Sequence, residues 1–535
     1  MMFPLSLTGV WLGDVLVLTA TLLYLIYSCL TSTSDYFKVR GIPYLKAAFL
    51  VGHHALITKS SMDFSLFLYK SHPRERFFGY FQGRIPTLLV KDPELQQLIK
   101  TKDFVHFQDQ GSRTIGGDLL STNLFNVRGK TWRALRIKLT PSITSDKLKL
   151  MFSQIIDSGD RLLQNIEKSY SGEPIQVNTM TFNFAIEMIA SCAFGLDSSK
   201  DYTQTAEFIS RSKSVYISGY RKIFRDLINL FAPKVINLLG LSILQPGTNK
   251  YFLTLIKKNK EYRKISGIKR NDYFQQLLTL QEAVETAEIV ISSRVIDNKE
   301  EDHIINQMHH FPQHPYAKNT KLLTDECITS QAFGFLWGSL DAVSSTLTFA
   351  LFHLAKDQVI QEKARKEVED NLVLHEGWTY QSVREMVYLD QVLQETLRMY
   401  PSMPLHFREC TMAYRIPRSD VVVEKGTIVA IPVRGIHMDP EFYSDPERFD
   451  PDRFKGNNYK PSQIYMPFGD GPRICIAMRF ATLEMKVCLA KILSRYTLQV
   501  DSKTQEPFKF DPSSFTPKPL GGVWLNLEKR QGFVV

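Results

Sequence analysis

Hydrophobic and polar positions along this chain follow two different periods. From about residue 90 to residue 400, apolar residues recur every three or four positions, as in AFGFLWGSLDAVSSTLTFALFHLAK, which is typical of helices packed on a core. Strand-like stretches are few. PTLLV, around Pro86 to Leu89, predicts a strand, and VVVEKGTIVAIPV predicts a β-hairpin that turns at Lys425-Gly426. The pattern therefore predicts a mainly α fold with a minor β region.

The N-terminal pattern differs, because the run VLVLTATLLYLIYSCLTSTS between Asp14 and Asp35 carries no charge. Its length of roughly 20 residues is enough to cross a bilayer. Lys38 and Arg40 follow the run rather than precede it, which favours a retained anchor with the remaining chain in the cytosol. A cleaved signal peptide is the alternative.

The rest of the chain has no second uncharged run of that length, no internal repeat and no low-complexity linker. The turn residues Gly41 and Pro43 predict a hinge after the anchor. We therefore expect a membrane anchor at residues 1–34, a hinge at 35–50 and one folded domain at 51–535.

Residues 284–322 form a segment of mixed charge and little periodicity, which predicts a surface insertion. Histidines in such a segment could bind a metal, but no ligand spacing accompanies them, so a solvated loop explains them better. They are His303, His309, His310 and His314.

Composition adds limits to this picture. With 535 residues, 44% of them hydrophobic, the chain can bury a large core. Its net charge of +10 suggests an acidic partner or anionic lipid, and no zinc-finger spacing or basic repeat favours nucleic acid. The six cysteines lack paired spacing, which argues against a disulfide framework and for a reducing compartment.

The segment FGDGPRIC, from Phe468 to Cys475, places a cysteine just before the helical pattern IAMRFATLEMKVCLAKIL. The positive end of a helix dipole favours a thiolate, which is the form of cysteine that binds metals. Gly469 and Gly471 allow tight turns that bring backbone amides to the sulfur, and Arg473 adds a planar cation suited to a carboxylate. By itself, such a cysteine is more often buried packing.

The spacing Phe-x-x-Gly-x-Arg-x-Cys resembles the haem-ligand signature of the cytochrome P-450 family. Here it falls on Phe468, Gly471, Arg473 and Cys475, and Ala477 stands where the family usually has glycine. The resemblance implies a haem b whose iron takes the Cys475 thiolate as its axial ligand. It also implies the cytochrome P-450 fold.

Other segments extend the resemblance over nearly the whole chain. LQETLRMYP supplies a Glu-x-x-Arg pair at Glu395 and Arg398, and FDPDRF supplies Arg453; the resemblance implies that these three form a buried ion network. A helical Glu and Arg three apart are otherwise an ordinary surface pair.

Residues from three segments, one of them the cysteine segment, would hold the haem propionates. By the same resemblance, GKTWRALRIKLTPSIT contributes Trp132 and Arg136, with Arg408 and Arg473 as further cations. Guanidinium groups bind carboxylates bidentately and stay charged when buried.

HFRECTMAYRIP and GIHMDPEFYSDPERF are most similar to insect family-six enzymes, in the clan shared with vertebrate family three.

The long helix near Trp337 departs from the family pattern, which pairs an acid with an alcohol that guides protons to dioxygen. Here the acid is Asp341, but Ala342 replaces the alcohol. Loss of the hydroxyl should impair proton delivery, since such assistance is typically worth about 10²- to 10⁴-fold. Ser345 and Thr346, one turn later, could substitute through water.

Three uses of the haem therefore remain open. The first, and the one that we favour, is insertion of one atom of dioxygen into a small lipophile such as a xenobiotic, hormone or fatty-acid-like molecule. The second is an oxygen-independent rearrangement or dehydration, which needs no threonine. The third is haem binding without turnover. Expected substrate contacts lie in residues 106–125 and 216–231, with three apolar candidates that could equally be core: Phe107, Phe125 and Phe349.

Electrons must come from another protein, because the chain has no Gly-x-Gly-x-x-Gly segment. The resemblance implies NADPH-cytochrome P-450 reductase, with cytochrome b5 as a further partner, in the endoplasmic-reticulum membrane with the catalytic domain facing the cytosol. A basic run would receive the acidic reductase, although such a run is usually a solvated face. It comprises Arg128, Lys130, Arg133, Arg136, Lys138, Lys147 and Lys149.

Overall fold

The computed structural model describes most of the chain. Residues 286–322, which hold nearly all of the predicted insertion and its four histidines, lie outside the described part, as do portions of the predicted anchor and hinge. The described ranges are 11–46, 59–111, 118–169, 172–196, 202–231, 233–285, 323–457 and 459–530.

Helices dominate the fold, as the three-to-four-residue period predicts. Short 3-10 and π turns connect several of them, including a π turn at Leu98–Lys102. The α-helices are α1 (Trp11–Thr31), α2 (Tyr36–Val39), α3 (Ser61–Ser71), α4 (Pro93–Gln97), α5 (Gly129–Leu139), α6 (Ser145–Ser169), α7 (Val177–Phe194), α8 (Tyr202–Lys213), α9 (Gly219–Phe231), α10 (Pro233–Leu238), α11 (Thr248–Ser266), α12 (Tyr273–Glu285), α13 (Asp325–Lys356), α14 (Gln358–Leu374), α15 (Tyr380–Arg384), α16 (Val387–Met399), α17 (Val433–His437) and α18 (Met478–Arg495).

The strands form small sheets, which confirms a minor β region. The largest sheet has the order β1-β2-β7-β4, in which β2 and β7 are parallel and the other pairs antiparallel. A second sheet has the order β3-β9-β8, and β5 pairs with β6. The strands are β1 (Phe77–Gln82), β2 (Ile85–Val90), β3 (Ile175–Gln176), β4 (His406–Glu409), β5 (Tyr414–Arg415), β6 (Val422–Val423), β7 (Ile428–Ile431), β8 (Tyr496–Val500) and β9 (Trp524–Lys529).

One strand prediction is confirmed and the other is wrong. PTLLV lies in β2, as expected, but β6 and β7 do not form a hairpin with each other. Gly426 makes the predicted turn with a φ of +91°, and its amide donates to the Cys410 carbonyl at 2.7 Å. Before the turn, Val423 pairs with Tyr414, whereas after it Ile428 pairs with Thr87. The two strands therefore belong to different sheets.

Helix α13 runs through the core and positions the site. The Thr324 hydroxyl caps its first turn by accepting from the Cys327 amide at 3.2 Å. The helix packs most extensively on α7 and also against α16 and α18. Among the described residues, α13 is the helix long and apolar enough to cross a membrane, but 67% of its most apolar stretch is buried within the protein. It is therefore a core helix.

Candidate functional site

Cys475 lies at the end of a tight loop in front of α18. Its amide donates to the Phe468 carbonyl at 2.9 Å, and the Phe468 ring packs on Tyr459 with 5.9 Å between ring centroids. The Ala477 amide donates to the Cys475 sulfur. Helix α18 begins at Met478, so the sulfur lies near its N-terminal end. Ala477 has a φ of −95°, which alanine adopts without strain.

Gly471 explains why the loop is so tight. Its φ is +71°, and a Cβ at this position would overlap the Lys100 carbonyl. The Asp470 side chain accepts from the Gly471 amide at 2.7 Å and starts the 3-10 turn Gly471–Arg473. Only glycine satisfies both the backbone conformation and the close approach.

The Cys475 sulfur is enclosed by protein, although the side chain keeps some accessible surface. Burial raises the pKa of the thiol, while the Ala477 amide and the nearby Arg136 guanidinium lower it. Burial is the largest of these effects. A bound metal ion would outweigh it, because coordination deprotonates a thiol outright.

Two buried arginines near this loop have incomplete partners. Arg136 in α5 and Arg408 in β4 are each only 4% exposed, and the Nε atom of each lacks a hydrogen-bond partner among the described residues. Burial lowers the pKa of each to about 10, an effect opposed by Cys475 at Arg136 and by Asp470 at Arg408. Two desolvated cations with unused donors require anions, and two carboxylates would satisfy them.

Arg473, by contrast, is held mainly by the protein. It donates from Nε to the Gln108 carbonyl at 2.9 Å, and its terminal nitrogens donate to the carbonyls of Leu124 (3.3 Å) and Val127 (3.0 Å). Its guanidinium carbon lies 4.0 Å from the ring centre of Trp132, a cation–π contact. Trp132 therefore packs against Arg473, and few Arg473 donors remain for another group.

The structure brings Glu395, Arg398 and Arg453 together. Glu395 and Arg398 are fully buried and form a two-pronged ion pair at 2.7 and 2.8 Å, and Arg453 lies 3.4 Å from Glu395. Arg398 also donates to the His437 carbonyl at 2.8 Å. The His437 ring in turn accepts from the Met466 amide at 3.2 Å. The network thereby connects α16 to the segment that leads into the cysteine loop.

One face of α13 borders an internal space. Gly338 and Asp341 are accessible although the helix is otherwise mostly buried, and a Cβ at Gly338 would meet nothing within 4 Å. Surrounding protein nevertheless desolvates Asp341 and raises its pKa, which the positive charge of Lys518 partly lowers. An accessible group that is still desolvated lies in a concave pocket rather than on the outer surface.

The two hydroxyls that sequence reasoning suggested as substitutes are already engaged. Ser345 donates to the Pro517 carbonyl at 2.7 Å, and Thr346 donates to the Ala342 carbonyl at 2.8 Å. The Ser402 hydroxyl lies 3.4 Å from that of Thr346. The Ser345 oxygen can still accept a hydrogen bond from water, but its O–H already donates to Pro517 and is not free to donate in place of the missing alcohol at Ala342.

The described residues contain no group of three or more His, Cys, Asp or Glu side chains that could hold a metal ion. A metal bound at Cys475 must therefore bring most of its ligands with it, as iron in a porphyrin does. The site offers what such a group needs: a sulfur, two buried arginines with unused donors, and the open face of α13. The residues fit a haem.

Residues 42–525 match the family model described as cytochrome P-450. This chain belongs to the cytochrome P-450 family. Probable cytochrome P-450 6a14 of Drosophila melanogaster is 32% identical over 99% of this chain and 100% of its own length. Probable cytochrome P-450 6a13 of the same species is 33% identical over 96% and 98%. Cytochrome P-450 6B7 of Helicoverpa armigera is 30% identical over 96% and 97%.

These relatives confirm the resemblance to insect family-six enzymes. As a cytochrome P-450, the chain is a monooxygenase with a haem cofactor whose iron takes a cysteine thiolate as axial ligand. Cys475 is the cysteine of its signature segment.

The structure pairs two residues of this cytochrome P-450 site, Trp337 and Tyr216, that sequence reasoning did not connect. The Trp337 indole, one turn before Asp341, donates to the Tyr216 hydroxyl, and burial together with the Asp341 carboxyl raises the pKa of that phenol. Tyr216 is held in place by its neighbours, because the Ile217 amide donates to the Ile243 carbonyl at 2.9 Å. The spacing to Asp341 could have pointed to Trp337. Sequence reasoning placed Tyr216 in a segment expected to contact substrate, but it could not show the contact with Trp337, which lies far away in the sequence.

The three apolar candidates for substrate contact separate into two groups. Phe125 keeps some exposure and packs edge-on against Trp337, with 5.1 Å between ring centroids. Phe107 and Phe349 are completely buried in separate core clusters. Only Phe125 lies beside the open face of α13.

Proposed function

We propose that this cytochrome P-450 inserts oxygen into a small lipophilic molecule, using electrons from NADPH that a separate reductase delivers. One observation carries the proposal: the Cys475 sulfur of the signature loop lies close to the buried Arg136, and Arg136 and Arg408 both keep unused donors. When bound, the haem activates dioxygen, and thiolate ligation favours cleavage of the oxygen-oxygen bond.

Each side chain around the haem would have a distinct task. Arg136 and Arg408 would bind the two propionates, because their Nε atoms lack partners among the described residues. Trp132 and Arg473 would shape the rim of the pocket through their cation–π contact. Phe468 would brace the cysteine loop with its ring and its carbonyl.

Asp341 would move protons at the open face of α13. Burial raises the pKa of this carboxyl, and a raised pKa makes a carboxyl better suited to hold and release a proton in general acid-base work. Ala342 cannot pass the proton on. Water held between Asp341 and the acceptor side of Ser345 would have to do so.

The substrate would lie among aromatic side chains. Phe125 and Trp337 supply apolar contact, and the Tyr216 hydroxyl supplies one polar group in the same region. A cavity with this lining favours lipophiles of the xenobiotic, hormone or fatty-acid type. A substrate with a hydroxyl or carbonyl could accept a hydrogen bond from Tyr216.

The reductase, with cytochrome b5 as a further partner, would dock on part of the predicted basic run. Lys130 and Lys149 are exposed, but Arg136 points into the site, and Arg128 pairs with Asp109 at 3.0 Å. The surface that can meet an acidic partner is therefore smaller than the sequence suggests. Complementary charge would speed the encounter in a salt-dependent way.

Helix α1 would anchor the enzyme in the endoplasmic-reticulum membrane, with the catalytic domain in the cytosol. Its described apolar side chains, including Leu16, Leu18 and Leu22, are largely exposed, which suits lipid contact and not packing on the domain. Lys38 and Arg40 follow on the proposed cytosolic side.

Ala342 favours one alternative, an oxygen-independent rearrangement or dehydration of a substrate that already carries a reactive oxygen. Such chemistry uses the same iron but needs no delivery of protons to dioxygen. The two activities differ in a simple measurement. Product that forms under anaerobic conditions would support the alternative for that substrate.

The carbon monoxide difference spectrum of the reduced protein tests the proposal. Cys475→Ala should abolish the thiolate-type band while the wild type shows it. Cys327→Ala is a matched control, because Cys327 is also a partly accessible free cysteine. If Cys475→Ala keeps the band, or if the wild type takes up no haem, the proposal is wrong.

A further inference from the structure

Four charged side chains form a row of ion pairs beside the haem site, in the order Glu409, Arg128, Asp109 and Arg473. Arg128 lies 3.0 Å from Asp109 and 2.5 Å from Glu409, and Arg473 lies 3.4 Å from Asp109. The side chains of Asp109, Glu409 and Arg473 are less than 10% exposed, whereas that of Arg128 is 32% exposed. This row of ion pairs therefore reaches from the surface to Arg473, a residue of the cysteine loop.

Backbone hydrogen bonds hold Asp109 in this row of ion pairs. Its carboxylate accepts from the Gly129 amide at 2.8 Å, where α5 begins, and its carbonyl accepts from the Glu409 amide at 2.7 Å. Asp109 thereby joins α5 to the end of β4, the two elements that carry Arg136 and Arg408. The Asp109 carboxylate itself contacts Arg128, Arg473 and the amide at the start of α5.

The row of ion pairs carries no net charge. Its two arginines face its two carboxylates, which leaves Arg136 and Arg408 to pair with the two propionates. Charges this deeply buried are poorly screened by water, and each one acts on the stability of added charge nearby. Reduction of the haem iron adds one negative charge to this environment.

We propose that Asp109 is a positioning residue that holds Arg473 in place and, with Arg128 and Glu409, sets how readily the haem iron is reduced. The inference rests on the proposed haem position. Removal of the Asp109 or Glu409 charge should make reduction easier, because an added electron then meets less repulsion. Removal of the Arg128 charge should make it harder.

Potentiometric titration of the purified full-length enzyme tests this inference. For Asp109→Asn we expect reduction to become easier by on the order of tenfold, a rise of about 59 mV for a one-electron couple. Arg128→Gln should lower the potential, and the double variant should return toward the wild type. Asp118→Asn is a matched control, since Asp118 is 4% and Asp109 5% exposed, and Asp118 accepts from the Ser242 hydroxyl instead of an arginine.

Opposite signs for Asp109→Asn and Arg128→Gln would separate an electrostatic role from structural damage, which has no reason to reverse with charge. Equal shifts of the same sign, or shifts no larger than that of Asp118→Asn, would overturn the inference. If Asp109→Asn does not retain haem, Glu409→Gln and Arg128→Gln decide, with a rise and a fall expected respectively. A wild type without a thiolate-type band would instead overturn the proposed function.

Discussion

A single methyl group, that of Ala342, distinguishes the proposed proton path of this enzyme from the family pattern. Ala342 has no side-chain donor, and its carbonyl already accepts from Thr346 at 2.8 Å. The hydroxyl of Ser345, one turn later, donates its hydrogen bond to the Pro517 carbonyl. In the proposed path, proton delivery would therefore depend on Asp341 and on water, which is less well positioned than a fixed hydroxyl.

Ala342→Thr should restore part of the missing path. We expect a larger fraction of NADPH electrons to appear in product and less peroxide to be released, with a gain below the roughly 10²- to 10⁴-fold that positioned acid-base groups supply. Val343→Thr is the control, because it adds a hydroxyl at the adjacent buried position. Unchanged coupling in Ala342→Thr would contradict this account of the helix.

The pH dependence of turnover should report on Asp341. Burial raises the pKa of this carboxyl and Lys518 lowers it, so Lys518→Met should raise it further. The limb of the kcat profile that follows Asp341 should then move to higher pH. Lys509→Met, another exposed lysine of the same segment, should leave the profile in place. An equal movement in both variants would assign the limb to another group.

At the scale of elements, α16 and the segment before the cysteine loop depend on one buried ion pair. Arg398 and Glu395 have no exposed surface, and each uses most of its hydrogen-bonding capacity. Removal of one partner leaves the other charge buried and unpaired. This loss is much more costly than the pair itself is stabilising.

Arg398→Met should therefore lower the free energy of unfolding by about 3–5 kcal/mol, or prevent haem uptake altogether. Thermal unfolding and haem content measure the effect. Arg415→Ala is the comparison, since Arg415 pairs with Asp420 at the surface, where side chains are 69% and 99% exposed. That substitution should change little. Similar losses in both variants would contradict the argument from burial.

Glu484 in α18 should make the stability of the fold depend on pH. It is 1% exposed, neither carboxyl oxygen has a hydrogen-bond partner among the described residues, and burial raises its pKa well above the usual range. The folded state therefore keeps a proton that the unfolded chain releases above about pH 4.3. Stability should fall as pH rises from that value toward the folded-state pKa.

Glu484→Gln cannot ionise and should remove this loss. The gain in Tm over the wild type should be larger at pH 8 than at pH 5, because only the wild type then bears the cost of an ionisable buried group. Glu447→Gln, at an exposed position, should show no such difference. A gain that does not depend on pH would point to packing instead of ionisation.

Elements also show where sequence reasoning succeeds and where it cannot. Periodicity is local, so it predicted α13, α18 and β2 correctly. Strand pairing is not local: alternation in VVVEKGTIVAIPV predicted two strands but could not show that β7 pairs with Thr87 and its neighbours, far away in sequence. The same limit applies to the contacts of Tyr216, Asp109 and Pro517, which join residues far apart in the sequence.

At the scale of the whole molecule, the order of short motifs predicted the family and the position of the sulfur ligand. The motifs did not predict which groups the side chains hydrogen-bond. Arg473 was expected to serve the propionates, but carbonyls of residues 108, 124 and 127 occupy most of its donors. A motif identifies the residue type that a family needs. It does not show which donors the protein itself uses.

Removal of residues 2–31 tests the division into an anchor and a catalytic domain. We expect the truncated enzyme to leave the membrane fraction while its reduced form keeps the thiolate-type carbon monoxide band, because α1 supplies none of the residues around Cys475. Membrane fractionation and the difference spectrum provide the two measurements. Loss of the band would show that α1 supports the domain itself.

The close approach of Gly471 to the Lys100 carbonyl bears on how the enzyme is made. Lys100 also contacts Met466, which lies 366 positions away in the sequence. Since the cysteine loop takes shape against a segment translated long before it, a growing chain on the ribosome lacks a complete pocket until residues 466–475 have been synthesised. We therefore expect haem insertion to follow the synthesis of these residues.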